Sequence, residues 1–212
     1  MAPMTDNLLL AEPGNPPLAT LLLAHGAGAP MDSPFMEQLS AALCERGIRV
    51  VRFEFPYMAA RREDGRKRPP NPLPALQQCL REQAASMSGP WLVGGKSMGG
   101  RVASLLVDEL GVLGLVCYGY PFHPPGKPEK TRTAHLEALA TPALVVQGTR
   151  DPFGRPEEVS GYRLADSLQV HWLESGDHDF KPLKASGRTQ ALLIEEAAEA
   201  TLAFVQGVIS KS

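Results

Sequence analysis

The sequence predicts an α/β protein, with a mostly parallel sheet of six or seven strands and helices on both faces. Three observations predict it. Short apolar, β-branched runs alternate with segments of helical periodicity along the 212 residues. A glycine-packed octapeptide, Gly94-Gly95-Lys96-Ser97-Met98-Gly99-Gly100-Arg101, turns one such run into a helix. Reactive or glycine-rich residues follow directly on the ends of four runs. Strands alternating with helices bury a parallel sheet between two helix layers, joined by right-handed crossovers. No repeat, low-complexity tract or boundary interrupts the pattern, so one domain over residues 1–212 is expected.

The first strand is Thr20-Leu21-Leu22-Leu23-Ala24, continuously apolar as a strand buried on both faces must be, and it opens into His25-Gly26-Ala27-Gly28-Ala29-Pro30. Ser33-Pro34 supplies an N-cap and a proline at the first helical position; Phe35, Met36, Leu39 and Leu43 follow at helical spacing until Gly47. Residues 48–55 are β-branched and aromatic and read as a strand. Residues 58–72 lack apolar periodicity and are expected to form a long loop. Leu76, Leu80 and Ala84 then mark one face of a helix over 73–87.

Trp91-Leu92-Val93 reads as the end of a buried strand, and a helix runs from the glycine corner to near Gly111. Residues 112–118 form a fourth strand, followed by a proline-rich loop over 120–128 and a short helix within 131–139. Residues 143–147 are a fifth strand leading to Gly148-Thr149-Arg150-Asp151-Pro152, with helix over 156–164. Residues 168–173 are a sixth strand ending in Gly176-Asp177-His178-Asp179. The last helix spans 188–206, with Leu192, Leu193, Leu202, Phe204 and Val205 apolar and Glu195, Glu196 and Glu199 facing water.

Composition narrows the function classes. Hydrophobic residues at 43%, charged residues at 21% and a net charge of −2 suit a soluble globule and argue against a nucleic-acid partner. Cys44, Cys79 and Cys117 sit in apolar settings without C-x-x-C pairing, which points to buried thiols in a reducing compartment. The apolar run over 8–11 is too short for a signal peptide and lacks a basic leader. No run approaches the roughly 18 residues of a membrane span. A cytoplasmic protein without a membrane partner is expected.

Gly95-x-Ser97-x-Gly99 has the spacing of a nucleophile elbow, in which a strained serine is exposed at a sharp strand-to-helix turn. A β-carbon two residues to either side would tend to clash with the neighbouring strand or helix. A rival, the phosphate-binding G-x-x-x-x-G-K-S loop, fails on spacing: Gly89 to Ser97 carries one residue too many, and its spacer is the strand itself. In an open parallel sheet functional groups collect at the carboxyl ends of strands. His25-Gly26-Ala27-Gly28, Ser97, Asp151 and His178 should therefore share one edge.

With these four motifs in this order, the chain resembles a small α/β-hydrolase without a separate cap domain. It is most similar to the compact bacterial group allied to dienelactone hydrolases, and to the animal testis-expressed and histone-acetyltransferase-complex relatives. The likeness spans residues 21–205. It implies hydrolysis of a small or medium ester or thioester through an acyl-enzyme on Ser97, without metal or organic cofactor. Dienelactone hydrolases carry a cysteine where this elbow holds Ser97, so dienelactone chemistry is not implied. A second reading, a catalytically silent interaction module, follows from the chromatin-complex relatives; an intact Ser97, Asp151 and His178 set speaks against it.

Acyl transfer assigns the roles. Ser97 needs a base, for which His178 is the candidate, and Asp151 would fix the imidazole tautomer. The oxyanion needs two donors: the N–H of Met98 and that of Ala27, with Gly28 as the fallback. His171 lies inside a strand and suits a structural role, His25 a loop-bracing one. Asp177 and Asp179 rival Asp151 but stand too near His178 in sequence to reach round its ring. Tyr57, Met58, Tyr120 and Phe122 flank the same edge and are candidates for an acyl pocket, with loop packing the alternative. Over 61–68, five basic residues against two acidic ones form either a solvated loop or a greeting surface for an anionic substrate.

Overall fold

A computed structural model describes residues 8–211. Its seven strands are β1 (Leu8–Ala11), β2 (Ala19–Ala24), β3 (Ile48–Phe53), β4 (Trp91–Lys96), β5 (Leu115–Tyr118), β6 (Ala143–Gly148) and β7 (Leu168–Leu173). They form one sheet in the order β1-β3-β2-β4-β5-β6-β7, parallel throughout except where β1 runs antiparallel to β3. All six residues of β2 are buried, as its continuous apolar run requires.

The period of two along each strand sorts the core into two halves. Leu22, Val93, Cys117 and Val145 face one half, packed by α2 (Pro56–Asp64), α3 (Leu73–Ala84), α4 (Met98–Ser104) and α5 (Val107–Leu110). Leu21, Leu23, Leu92, Val116 and Val146 face the other, covered by α1 (Pro34–Glu45) and α7 (Gln190–Ile209). Helices thus lie on both faces, and no separate cap stands over the strand ends among the described residues.

Several elements differ from expectation. The segment 58–72 is not all loop: α2 occupies its first part, started by Pro56 at the first helical position and stopped by Gly65 at φ 72°. Only Tyr57 and Met58 of this helix are buried, so it has no apolar stripe to read. β1 is an edge strand of four half-exposed residues, too short to show a pattern. The helix after the corner breaks at Leu105 into α4 and α5, and the fourth strand starts at Leu115. The helix expected over 156–164 is the single turn α6 (Pro156–Val159), and that within 131–139 is a 3-10 turn, Ala134–Ala138.

In α7, Leu192 is 52% exposed rather than part of the buried stripe. Its glutamates are engaged: Glu195 and Glu199 pair with Arg46 of α1, and Glu196 with His171 and Arg188.

The corner between β4 and α4 leaves no room for side chains at its glycines. A β-carbon on Gly95 would stand 2.5 Å from the carbonyl carbon of Gly99, and one on Gly99 would stand 2.6 Å from the carbonyl oxygen of His25. Backbone on both sides cannot yield as a flexible side chain can. Gly95→Ala is therefore expected to destabilise the protein by about 3 kcal/mol, the upper range for overpacking, read as a lowered urea midpoint.

Candidate active site

β4 ends at Lys96 and α4 begins at Met98, so Ser97 alone makes the turn, with φ 50° and ψ −113°. A non-glycine residue held there stores about 1–3 kcal/mol of strain. Its Oγ lies 2.9 Å from His178 Nε2, and His178 Nδ1 lies 2.8 Å from Asp151 Oδ2. Asp151 follows β6 and His178 follows β7, so three strand ends converge over one rim. The Asp151 carboxylate is fully buried, and its other oxygen accepts the Phe153 N–H at 2.9 Å. A carboxylate can only accept, so His178 Nδ1 carries the proton and Nε2 is left to accept from the serine.

Beside this chain of hydrogen bonds lies an open cleft of about 400 Å³. Gly26, Ala27 and Gly28 line it on one side, with Phe35, Met36 and Phe153 supplying apolar wall. The Phe153 ring also sits 4.3 Å from the His178 ring. The amides of Ala27 and Met98 have no hydrogen-bond partner among the described residues. They are the donors that chemistry at Ser97 would call for.

Tyr57, Met58, Tyr120 and Phe122 do not line this cleft. All four are buried in the core beneath the rim. Tyr120 and Phe122 pack edge to face at 4.9 Å, and the Tyr120 hydroxyl donates to Arg132 O. Met58 borders a separate small recess beside Arg61 and Arg62. The walls are instead Phe35 and Met36, whose spacing marks them as helix core, and Phe153. The available signal was position: Phe153 stands two residues past Asp151, and Phe35 opens the helix after the glycine loop.

Lys96 lines the cleft as well, with no local signal in the sequence to mark it. Its side chain is nearly buried in the cleft wall, with Nζ 3.5 Å from Asp179 Oδ1 and 5.4 Å from the Phe35 ring centre. Burial pushes its ammonium pKa below the ordinary lysine value, opposed by the nearby Asp179 and Asp151 carboxylates.

The remaining candidates fall elsewhere. His25 is fully buried: Nε2 accepts the Phe55 N–H at 3.1 Å and Nδ1 donates to Gly26 O at 2.7 Å. Burial lowers its pKa from 6.5, which keeps it neutral and bracing the loop. His171 Nε2 faces Glu196 on α7 at 3.2 Å. Asp177 Oδ1 accepts the amides of Asp179 and Lys181, so it caps its own turn. Two of the five basic residues are tied to carboxylates: Arg62 bridges Asp32 and Glu54, and Arg68 pairs with Asp64.

A serine at a sharp β-to-α turn, at the centre of a parallel sheet with one antiparallel edge, is the arrangement of the α/β-hydrolases. The chain belongs to this family: residues 17–206 match the family model described as an alpha/beta hydrolase domain. Solved structures share the fold. An alpha-beta serine hydrolase homologue from Coxiella burnetii is 20% identical over 91% of this chain and 90% of its own, with a TM-score of 0.66. A lidless a/b serine hydrolase from Xanthomonas campestris is 18% identical over 91% and 88%, with a TM-score of 0.66. A dienelactone hydrolase from Anabaena variabilis is 19% identical over 93% and 92%, with a TM-score of 0.69. Among the described residues no helix is long and apolar enough to cross a membrane.

Proposed function

We propose that the protein is a serine hydrolase that cleaves small or medium esters or thioesters. One observation carries the reading: Ser97 Oγ, His178 and Asp151 form a continuous hydrogen-bonded chain, at 2.9 and 2.8 Å, beside an open apolar cleft. In the proposed mechanism Ser97 Oγ attacks the ester carbonyl while His178 Nε2 takes the hydroxyl proton. The amides of Met98 and Ala27, with Gly28 next in line, stabilise the tetrahedral oxyanion. Its collapse expels the alcohol or thiol, which receives the proton from His178. A water molecule then attacks the acyl-enzyme by the same route, releasing the acid and restoring Ser97. Asp151 holds the imidazole in its working tautomer and stabilises the cation formed in each step. These steps need no metal or cofactor.

The same reading takes residues 1–212 as one domain. The free thiols at Cys44, Cys79 and Cys117 support a cytoplasmic setting. Kinship to the animal testis-expressed and chromatin-complex proteins rests on the elbow and strand-end motifs alone. A fluorophosphonate probe is expected to label the folded protein on Ser97 and to leave Ser97→Ala unlabelled. Chromogenic esters of increasing acyl length should then show a maximum at short or medium chains, as a cleft of about 400 Å³ dictates. Folded protein that neither reacts with the probe nor turns over any ester would favour the silent interaction module.

A further inference from the structure

The hydroxyl of Tyr57 meets two consecutive backbone carbonyls, Gly26 O at 3.2 Å and Ala27 O at 2.9 Å. In extended chain successive carbonyls point to opposite sides, so two that converge on one hydroxyl mark a turned backbone. Each peptide unit is planar, with its N–H directed opposite its C=O. The N–H groups of Ala27 and Gly28 are therefore both turned away from Tyr57, the arrangement in which successive amides make a concave anion site. Gly26, Ala27 and Gly28 line the cleft together with Ser97 and His178, whereas Tyr57 does not. Neither amide has a hydrogen-bond partner among the described residues.

Building on the hydrolase reading, we propose that Tyr57 is the positioning residue of the oxyanion hole: its buried hydroxyl holds the 26–28 turn so that the Ala27 and Gly28 amides face the oxyanion formed at Ser97. A positioning device is needed because glycines at 26 and 28 leave this turn soft. A flipped peptide would aim a carbonyl at the oxyanion instead of an N–H. Tyr57 is itself well anchored. It sits in the first turn of α2, its N–H donates to Asn71 Oδ1 at 2.8 Å, and the residue is 3% exposed. Burial pushes its phenol up to about 12, so it stays a donor throughout the working range of pH.

The hydroxyl has one hydrogen and two acceptors. His25 Nδ1 already donates to Gly26 O at 2.7 Å, and the shorter Tyr57 contact is to Ala27 O. Tyr57 thus holds the peptide that carries the Gly28 N–H and shares with His25 the one that carries the Ala27 N–H. An aromatic ring expected at an acyl pocket instead works from beneath, through the backbone.

The test is Tyr57→Phe, which keeps the ring and removes the donor. Loss of a whole oxyanion donor costs about 10²–10³ in rate, so misdirecting one should lower kcat about 10–100-fold. KM for a neutral ester should stay within about twofold, because the ground-state carbonyl makes little use of the hole. Inhibition by phenylboronic acid, which forms a tetrahedral adduct on the serine, should weaken by the same factor as kcat/KM. A merely structural role would lower the melting temperature and leave kcat of the folded enzyme unchanged, and that result overturns the proposal. Should Tyr57→Phe fail to fold, 3,5-difluorotyrosine at position 57 replaces it. Its hydroxyl ionises at lower pH, so kcat should acquire an alkaline fall that wild type lacks; no such fall overturns the proposal. Wild type inert towards both ester and fluorophosphonate removes the hydrolase reading and this role with it. An active wild type beside a fully active Tyr57→Phe removes only the role of Tyr57.

Discussion

Ser97→Ala is expected to lower kcat by at least about 10⁴-fold on any ester the wild type hydrolyses, with the fold intact. The size follows from how the three side chains act. In the proposed mechanism His178 and Asp151 have no nucleophile to activate once the hydroxyl is gone, so its loss removes what the whole set contributes. What survives is the background that binding and the oxyanion donors supply. The same position separates activity from stability. Because φ is 50° at Ser97, alanine keeps the strained backbone and glycine relieves it. Ser97→Gly should therefore be as inactive as Ser97→Ala and more stable by about 1 kcal/mol in urea unfolding. Turnover by Ser97→Ala within tenfold of wild type would exclude Ser97 as nucleophile, whatever the hydrogen bonds suggest.

The strand ends could be read from sequence because their signals are local. Leu21 to Leu23 buries both faces and therefore carries no polar residue; Gly95 and Gly99 are glycine because backbone passes within 3 Å of where a side chain would be. Asp151 and His178 could be set beside Ser97 without knowing any contact, since a parallel sheet delivers all its carboxyl ends to one edge. What the edge does next is not local. Whether Phe35 or Tyr57 lines the cleft depends on how α1 and α2 come to rest against the 26–29 turn, and no periodicity encodes that. Tyr57 and Met58 are adjacent to a strand end in sequence, yet α2 draws both beneath the rim. Lys96 carries no signal for a related reason: its partner Asp179 lies 83 positions along the chain, beyond any pattern in a window.

Asp151→Asn should reduce kcat about 10⁴-fold while the protein folds normally, and the hydrogen bonds around this residue say why. Oδ1 accepts the Phe153 N–H at 2.9 Å, whereas Oδ2 faces His178 Nδ1 at 2.8 Å. Asparagine in the same pose must keep its carbonyl towards Phe153, because an amide nitrogen there would oppose another donor. Its NH₂ group then points at His178 Nδ1 and obliges that nitrogen to accept. The imidazole proton moves to Nε2, which can no longer receive a proton from Ser97. The substitution is isosteric and neutralises a fully buried carboxylate, so the melting temperature should stay near that of wild type. Asp179→Asn is the control: its carboxylate pairs with Lys96 and Lys181, and its loss should lower kcat less than about tenfold. Activity of Asp151→Asn within tenfold of wild type, with Asp179→Asn severely impaired, would transfer the orienting role to the carboxylate next to the histidine and leave Asp151 a structural acceptor.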